Sequence, residues 1–159
     1  MAEPIRVLFV CLGNICRSPL AEVIVRKHAA ERGLDGRFYF ASAGTGSWHI
    51  GHGADPRSAE TAHRYGLDLS RHVAQQITMD GLRSWDWFVA MDHDNRADLL
   101  AMGAPEERLL MMRQFEPGHA VVPDVPDPYY GGPDGFEHAY DMLSENAARL
   151  LDYLEKNTD

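Results

Sequence analysis

The sequence predicts an α/β domain built on a parallel sheet, and three observations lead there. Apolar runs of strand length alternate with segments of helical period, a pattern that implies right-handed crossovers over parallel strands. The first run, IRVLFV at 5–10, is apolar without alternation beyond Arg6 and rich in β-branched residues, as a strand buried on both faces requires. Directly after it, CLGNICR holds both cysteines of the chain, Cys11 and Cys16, beside a glycine, an asparagine and an arginine.

The elements follow in order. After that loop, SPLAEVIVRKHAAERG predicts a helix that Ser18 caps, with Pro19 in the first turn and Gly33 as the stop. RFYFAS (37–42) predicts a second strand, and DPRSAETAHRYG (55–66) a second helix entered at Asp-Pro and left at Gly. DWFVAM (86–91) and DHDNRADLLAMG (92–103) repeat the strand–helix pair, and RLLMM (108–112) predicts a short fourth strand. FEHAYDMLSENAARLLDYLEKN (136–157) carries apolar positions at helical spacing and closes the pattern. Two Gly/Pro-rich stretches, 44–56 and 116–135, break it, and long loops in such domains are often functional.

Composition narrows the function. A chain of 159 residues with 45% apolar content suffices for one domain with its own core, and no linker or repeat divides it. A net charge of -9 argues against nucleic acid or an anionic membrane surface as partner, so an anionic substrate requires a local cationic site. The N-terminal apolar run is too short to span a bilayer, follows Glu3 and lacks the basic start of a secretory signal, which leads us to expect a cytoplasmic protein. Two cysteines are too few for a disulfide framework.

The CLGNICR loop sits where doubly wound sheets bind ligands, beyond the carboxyl end of a central strand. Successive amides there can curl into a nest ahead of a helix N-terminus, a cradle for a tetrahedral oxyanion. Gly13 and Asn14 suit the curl because both tolerate positive φ. Cys11 is expected at its floor, where amides, the helix terminus and Arg17 favour a thiolate. The planar fork of Arg17 can hold two phosphoryl oxygens, and Ser18 can donate its hydroxyl to the sulfur.

This Cys-x5-Arg arrangement within FVCLGNICRSPLAE resembles the low-molecular-weight protein tyrosine phosphatases, and SAGTGSWHIG, HVAQQIT, MDHDN and DPYYGG resemble the family's later landmarks in order. Cys-x5-Arg alone is shared by unrelated phosphatases; the long N-terminal string followed by DPYY is far more specific. The resemblance implies a single three-layer α/β/α domain over residues 1–159, with a central four-stranded parallel sheet and a phosphate-binding loop after the first strand. It implies phosphotyrosine-containing proteins as substrates, inorganic phosphate as product, no metal or organic cofactor, and a monomer or weak homo-oligomer. By position, Cys11 is the nucleophile, Arg17 binds the phosphoryl group and Asp127 is the general acid. Leu12, Gly13, Asn14, Ile15, Cys16 and Ser18 complete the phosphate loop, and Asn14, Ser18, Ser42 and His72 support it. Trp48 and Tyr129 are expected as aromatic walls around a phenyl ring. Cys16 is implied as a redox partner that traps oxidised Cys11 as a disulfide. Members acting on phosphoarginine carry threonine where this chain has Ile15, which favours tyrosine.

Other readings compete. Cys11 and Cys16 as buried apolar fillers, a zinc site, or a nucleotide P-loop all fit the loop worse, the last because it lacks the Gly-Lys-Ser/Thr ending. Read alone, Asp127 is an ordinary turn residue, and Asp92, Asp94 and Asp124 compete with it as the acid. His49 and His52 invite a metal reading that lacks nearby carboxylates. Trp85 and Trp87 read as packing, while Tyr130 reads as wall, core or a phosphorylation target. An arsenate reductase would need cysteines outside the loop, of which there are none. A non-catalytic phosphoprotein-binding or redox-sensing module would not need a displaced acid.

Overall fold

The computed structural model describes residues 3–130, 132 and 134–158, with the side chain of Tyr130 outside the description. Strand β1 (Ile5–Cys11) pairs in parallel with β2 (Phe38–Gly44) on one side and β3 (Trp87–Ala90) on the other, and β4 (Leu109–Met111) lies beside β3. The order β2-β1-β3-β4 makes β1 an interior strand, which explains the unbroken apolar run from Val7 to Cys11. Because side chains alternate across the pleat, Val7, Phe9 and Cys11 face one layer while Leu8 and Val10 face the other.

Helices α1 (Arg17–Glu31), α2 (Pro56–Arg64) and α4 (Gly135–Asn157) supply the first layer. On α4, Leu143, Ala147, Leu150, Leu151 and Leu154 are fully buried, the stripe that a 3.6-residue period lays along one face. Helix α3 (His93–Met102) covers the opposite face through Leu99, joined by Leu82 from a 3-10 turn at Asp80–Ser84. The three-layer α/β/α arrangement is as expected. Two further 3-10 turns, Glu106–Arg108 and Pro128–Tyr130, have no counterpart in the sequence reading, since single turns carry no periodicity. Among the described residues, no helix is long and apolar enough to cross a membrane.

Capping follows expectation at α2 and α3. Asp55 accepts from Arg57 N at 2.8 Å, Asp92 accepts from Asn95 N at 2.7 Å, and Gly103 ends α3 with φ 105°. It departs at α1: Arg17 is already helical, Cys16 holds the N-cap position without a side-chain bond, and Ser18 lies inside the first turn. The hydroxyl expected to cap is engaged elsewhere, 3.0 Å from the Cys11 sulfur.

Beyond β4, Glu116 ties the chain to α4. It accepts from Arg113 at 2.6 and 3.0 Å, from Asn146 at 3.0 Å and from His119 at 2.6 Å, and these bonds, Arg113 foremost, draw its carboxyl from 4.5 down to about 2. A carboxylate depressed in the folded state stabilises fully above its unfolded value, and that contribution disappears as pH falls through the folded one. The stability advantage of the native protein over Glu116→Gln is therefore expected to shrink between pH 4.5 and about 2, as urea-unfolding midpoints of the two would show.

Candidate active site

The loop from Cys11 to Arg17 is held from its convex side by its carbonyls. Cys11 O accepts from Thr45 N (2.9 Å), Leu12 O from Gly46 N (2.9 Å), Ile15 O from Asp55 N (2.8 Å) and Cys16 O from Ser58 Oγ (3.2 Å). His72 Nε2 donates to Asn14 O at 2.7 Å. With the carbonyls turned outward, the amides of Leu12, Gly13, Ile15 and Cys16 donate to nothing among the described residues, while Asn14 N points at the Cys11 sulfur, 3.3 Å away. These four residues, with Cys11 and Arg17, line a cavity of about 300 Å³. Inward amides beside a helix N-terminus form an anion nest.

Asn14 makes the curl, as the one non-glycine residue with positive φ (57°) among the described residues. Gly13 does not share that conformation; its contribution is space, since a Cβ there would come within 3.0 Å of His49 Cδ2. Gly44, at the end of β2, is forced by backbone, because a Cβ would lie 2.7 Å from Leu12 O. Two strands and the loop meet there with no room for a side chain.

The polar network behind the loop is ordered around the Asn14 side chain. Gln75 N donates to Asn14 Oδ1 at 2.9 Å, which fixes the amide so that Nδ2 donates to both Ser18 Oγ (2.9 Å) and Ser42 Oγ (3.0 Å). Ser42 passes its own hydrogen to Glu22 Oε1 at 2.8 Å. Ser18 Oγ, accepting from Asn14, lies 3.0 Å from the Cys11 sulfur and 3.5 Å from Ala43 O, so its hydrogen is available to the sulfur when that sulfur is a thiolate. Asn14, Ser18 and Ser42 are buried, so every unmade bond here would be costly. The expected support residues are thus brought together, and Glu22 and Gln75, which sequence reasoning missed, complete the set.

Arg17 is 3% exposed. Its Nη1 donates to Asp92 Oδ2 at 2.6 Å and to Val125 O at 3.0 Å, and Nη2 lies 3.6 Å from Asp127 Oδ2. Burial opposes the charge, but Cys11, Asp92 and Asp127 outweigh it and hold the guanidinium above its ordinary range. Asp92 is therefore the arginine's anchor as well as the cap of α3. Asp127 lines the cavity, with Oδ1 accepting from Tyr129 N at 3.0 Å. Asp124 instead bonds His93 N at 2.9 Å, and Asp94 sits in the first turn of α3. Both cysteines are free and buried. Burial, then Asp55, Cys11 and Asp127, push the Cys16 thiol well above its usual range, so it stays protonated.

The mouth carries Trp48, His49 and Tyr129 over Leu12 and Ile15. Trp48 is 67% exposed and lies against Gly46, where a Cβ would fall 1.9 Å from its ring. His49, absent from the expected walls, stands with its ring centroid 6.3 Å from Tyr129 and 6.0 Å from His52. Among the described residues, no group of three or more His, Cys, Asp or Glu is placed to hold a metal. Trp87 packs edge-on against Tyr153 and Trp85 stacks on Tyr39, both away from the cavity. The side chain of Tyr130 lies outside the described residues.

A parallel sheet whose interior strand delivers a cysteine into an amide nest, with an arginine closing the same loop, defines the Cys-x5-Arg class of phosphatase fold. Within that class, the chain belongs to the low molecular weight phosphotyrosine protein phosphatase family, whose family model matches residues 6–159. A relative from Streptomyces coelicolor named low molecular weight protein-tyrosine-phosphatase is 43% identical, covering 92% of this chain and 91% of its own. The Schizosaccharomyces pombe low molecular weight phosphotyrosine protein phosphatase is 37% identical, covering 95% and 97%. The crystal structure of YfkJ from Bacillus subtilis superposes with a TM-score of 0.91 at 35% identity, covering 99% of each chain.

Replacing Asn14 by alanine would strand the Ser18 and Ser42 hydroxyls and the Gln75 amide and place a Cβ residue without a polar side chain at φ 57°. The expected loss is about 2–4 kcal/mol. Asn14→Gly relieves the backbone part alone and should recover about 1 kcal/mol of it, as urea unfolding of the two variants would show.

Proposed function

We propose that residues 1–159 form a single phosphatase domain that hydrolyses phosphotyrosine in protein substrates through a cysteinyl-phosphate intermediate, releasing inorganic phosphate. One observation carries the reading: Cys11, Arg17 and Asp127 share a single cavity floored by inward-facing amides. The tyrosine phosphatase names of relatives across nearly the whole chain support the substrate class.

In the first half-reaction the Cys11 sulfur attacks phosphorus in line with the ester oxygen. An S–P bond forms as the P–O bond breaks, and Asp127 gives its proton to the departing phenolate. Arg17 Nη2 and the amides of the nest hold the three non-bridging oxygens, where charge is concentrated in the transition state. A phenol has a pKa near 10, so this proton is worth roughly 10²–10⁴-fold. In the second half-reaction Asp127, now a carboxylate, takes a proton from water as its oxygen attacks phosphorus, and the S–P bond breaks to return the thiolate. Ser18 Oγ, 3.0 Å from the sulfur, can donate its hydrogen to that leaving thiolate.

Cys16, held as a thiol, does not compete as nucleophile. In the same reading it serves as redox partner: a sulfenic acid formed on Cys11 by peroxide condenses with the Cys16 thiol, giving a disulfide and water. Trp48, His49 and Tyr129, which line the same cavity as Cys11, supply faces for a phenyl ring, which favours phosphotyrosine over phosphoserine.

Cys11→Ser is expected to abolish turnover of p-nitrophenyl phosphate, and activity surviving in that variant would eliminate the nucleophile. Asp127→Ala should slow phenyl phosphate by about 10²-fold or more while slowing aryl phosphates with acidic leaving groups far less. Initial rates across a series of aryl phosphates check this, and a uniform loss would remove the acid assignment.

A further inference from the structure

We infer that Arg57 is a positioning residue for the acid, a strap that holds the Asp127–Tyr129 turn at a fixed height over the phosphate loop. The inference rests on the role proposed above for Asp127. It comes from a chain of contacts that crosses from one loop to the other through the start of α2.

The near end of the strap is bolted to the phosphate loop. Asp55 N donates to Ile15 O at 2.8 Å, and Ser58 Oγ to Cys16 O at 3.2 Å, so the first turn of α2 moves with the nest. Asp55 is 6% exposed, and its carboxylate grips the Arg57 fork through Nε at 3.1 Å and Nη2 at 2.9 Å while also accepting Arg57 N at 2.8 Å. Burial raises the Asp55 carboxyl, but the Arg57 bonds outweigh it and draw it below the usual range. The guanidinium is thereby fixed in both position and plane.

The far end reaches the acid turn. The guanidinium carbon of Arg57 lies 5.2 Å from the Tyr129 ring centroid and 4.7 Å from that of Phe136, and Nη1 points at Tyr129 O from 3.4 Å. Tyr129 N in turn holds Asp127 Oδ1 at 3.0 Å. A cation packed against two aromatic rings and gripped by a buried carboxylate is a stiff spacer. Proton transfer needs the carboxyl within hydrogen-bond reach of the leaving oxygen, and a misplacement of about 1 Å can cost 10²-fold. Arg57 is absent from the lining of the cavity, so it acts through Asp127 and Tyr129.

The test compares phenyl phosphate with an aryl phosphate bearing an acidic leaving group, in Arg57→Met, Arg57→Lys, Asp127→Ala and the Arg57→Met/Asp127→Ala pair. Arg57→Met should lower kcat/KM for phenyl phosphate about 10-fold or more and for the activated ester less than about 3-fold, with inhibition by inorganic phosphate changed less than about 2-fold. Arg57→Lys should fall between, because an ammonium can still pair with Asp55 but has no planar fork to lie against Tyr129. It also keeps the counter-charge on Asp55, so it carries the same comparison if Arg57→Met unfolds. In the Asp127→Ala background, Arg57→Met should cost nothing further, since a residue acting through another has no effect once that other is gone. Equal losses on both esters, or the same loss with and without Asp127, would overturn the inference while leaving the acid in place. An Asp127→Ala variant that does not discriminate between esters would instead remove the acid assignment and the strap with it.

Discussion

A single left-handed residue governs this molecule's chemistry. Asn14 turns the chain so that the carbonyls of the loop face outward to Thr45, Gly46, Asp55, Ser58 and His72, which leaves the amides facing in. The turn is held because the same side chain is the hub of the buried network. An L-residue costs about 1–2 kcal/mol in this conformation, asparagine least among non-glycine residues, and glycine would adopt it freely. Glycine has no side-chain carboxamide, however, and would leave Ser18 and Ser42 without the donor that Asn14 Nδ2 supplies.

The second constraint is charge. Arg17 is buried, and a buried guanidinium must be paired. Asp92 and Val125 take Nη1, which orients the fork and leaves Nη2 toward the cavity, 3.6 Å from Asp127 and beyond hydrogen-bonding distance. The arginine is thus satisfied on one side and available on the other. Nη2 thus faces the cavity that Asp127 also lines, where it is available to an arriving anion.

Much of this was legible in the chain, and the limits have physical causes. The parallel sheet follows from strands alternating with helices, and the burial of β1 from its lack of alternation. The helix starts at Asp55 and Asp92 and the stop at Gly103 carry chemical signatures that survive folding. Ser18 and Gly13 misled because local rules met tertiary demands: the hydroxyl that fits a cap bonds a sulfur, and the glycine that fits a turn makes room for His49. Glu22, Gln75 and Asp92 were missed as site residues because their partners are far along the chain, and a residue's type does not say which distant group it will meet. Asp92 was visible as a rival acid, yet nothing in its neighbourhood announced Arg17.

The parallel sheet also sets when the site comes into being. Arg17 finds its two Nη1 partners 75 and 108 residues away, and the sulfur sits at the end of a strand whose neighbours on either side arrive later in the sequence. Closing loops of that length before contacts reward them is slow and entropically expensive. During synthesis Cys11 emerges early, and the cavity it shares with Asp127 is complete only once the later crossovers have docked. Turnover is thus a late and global signal that the chain has reached its native topology.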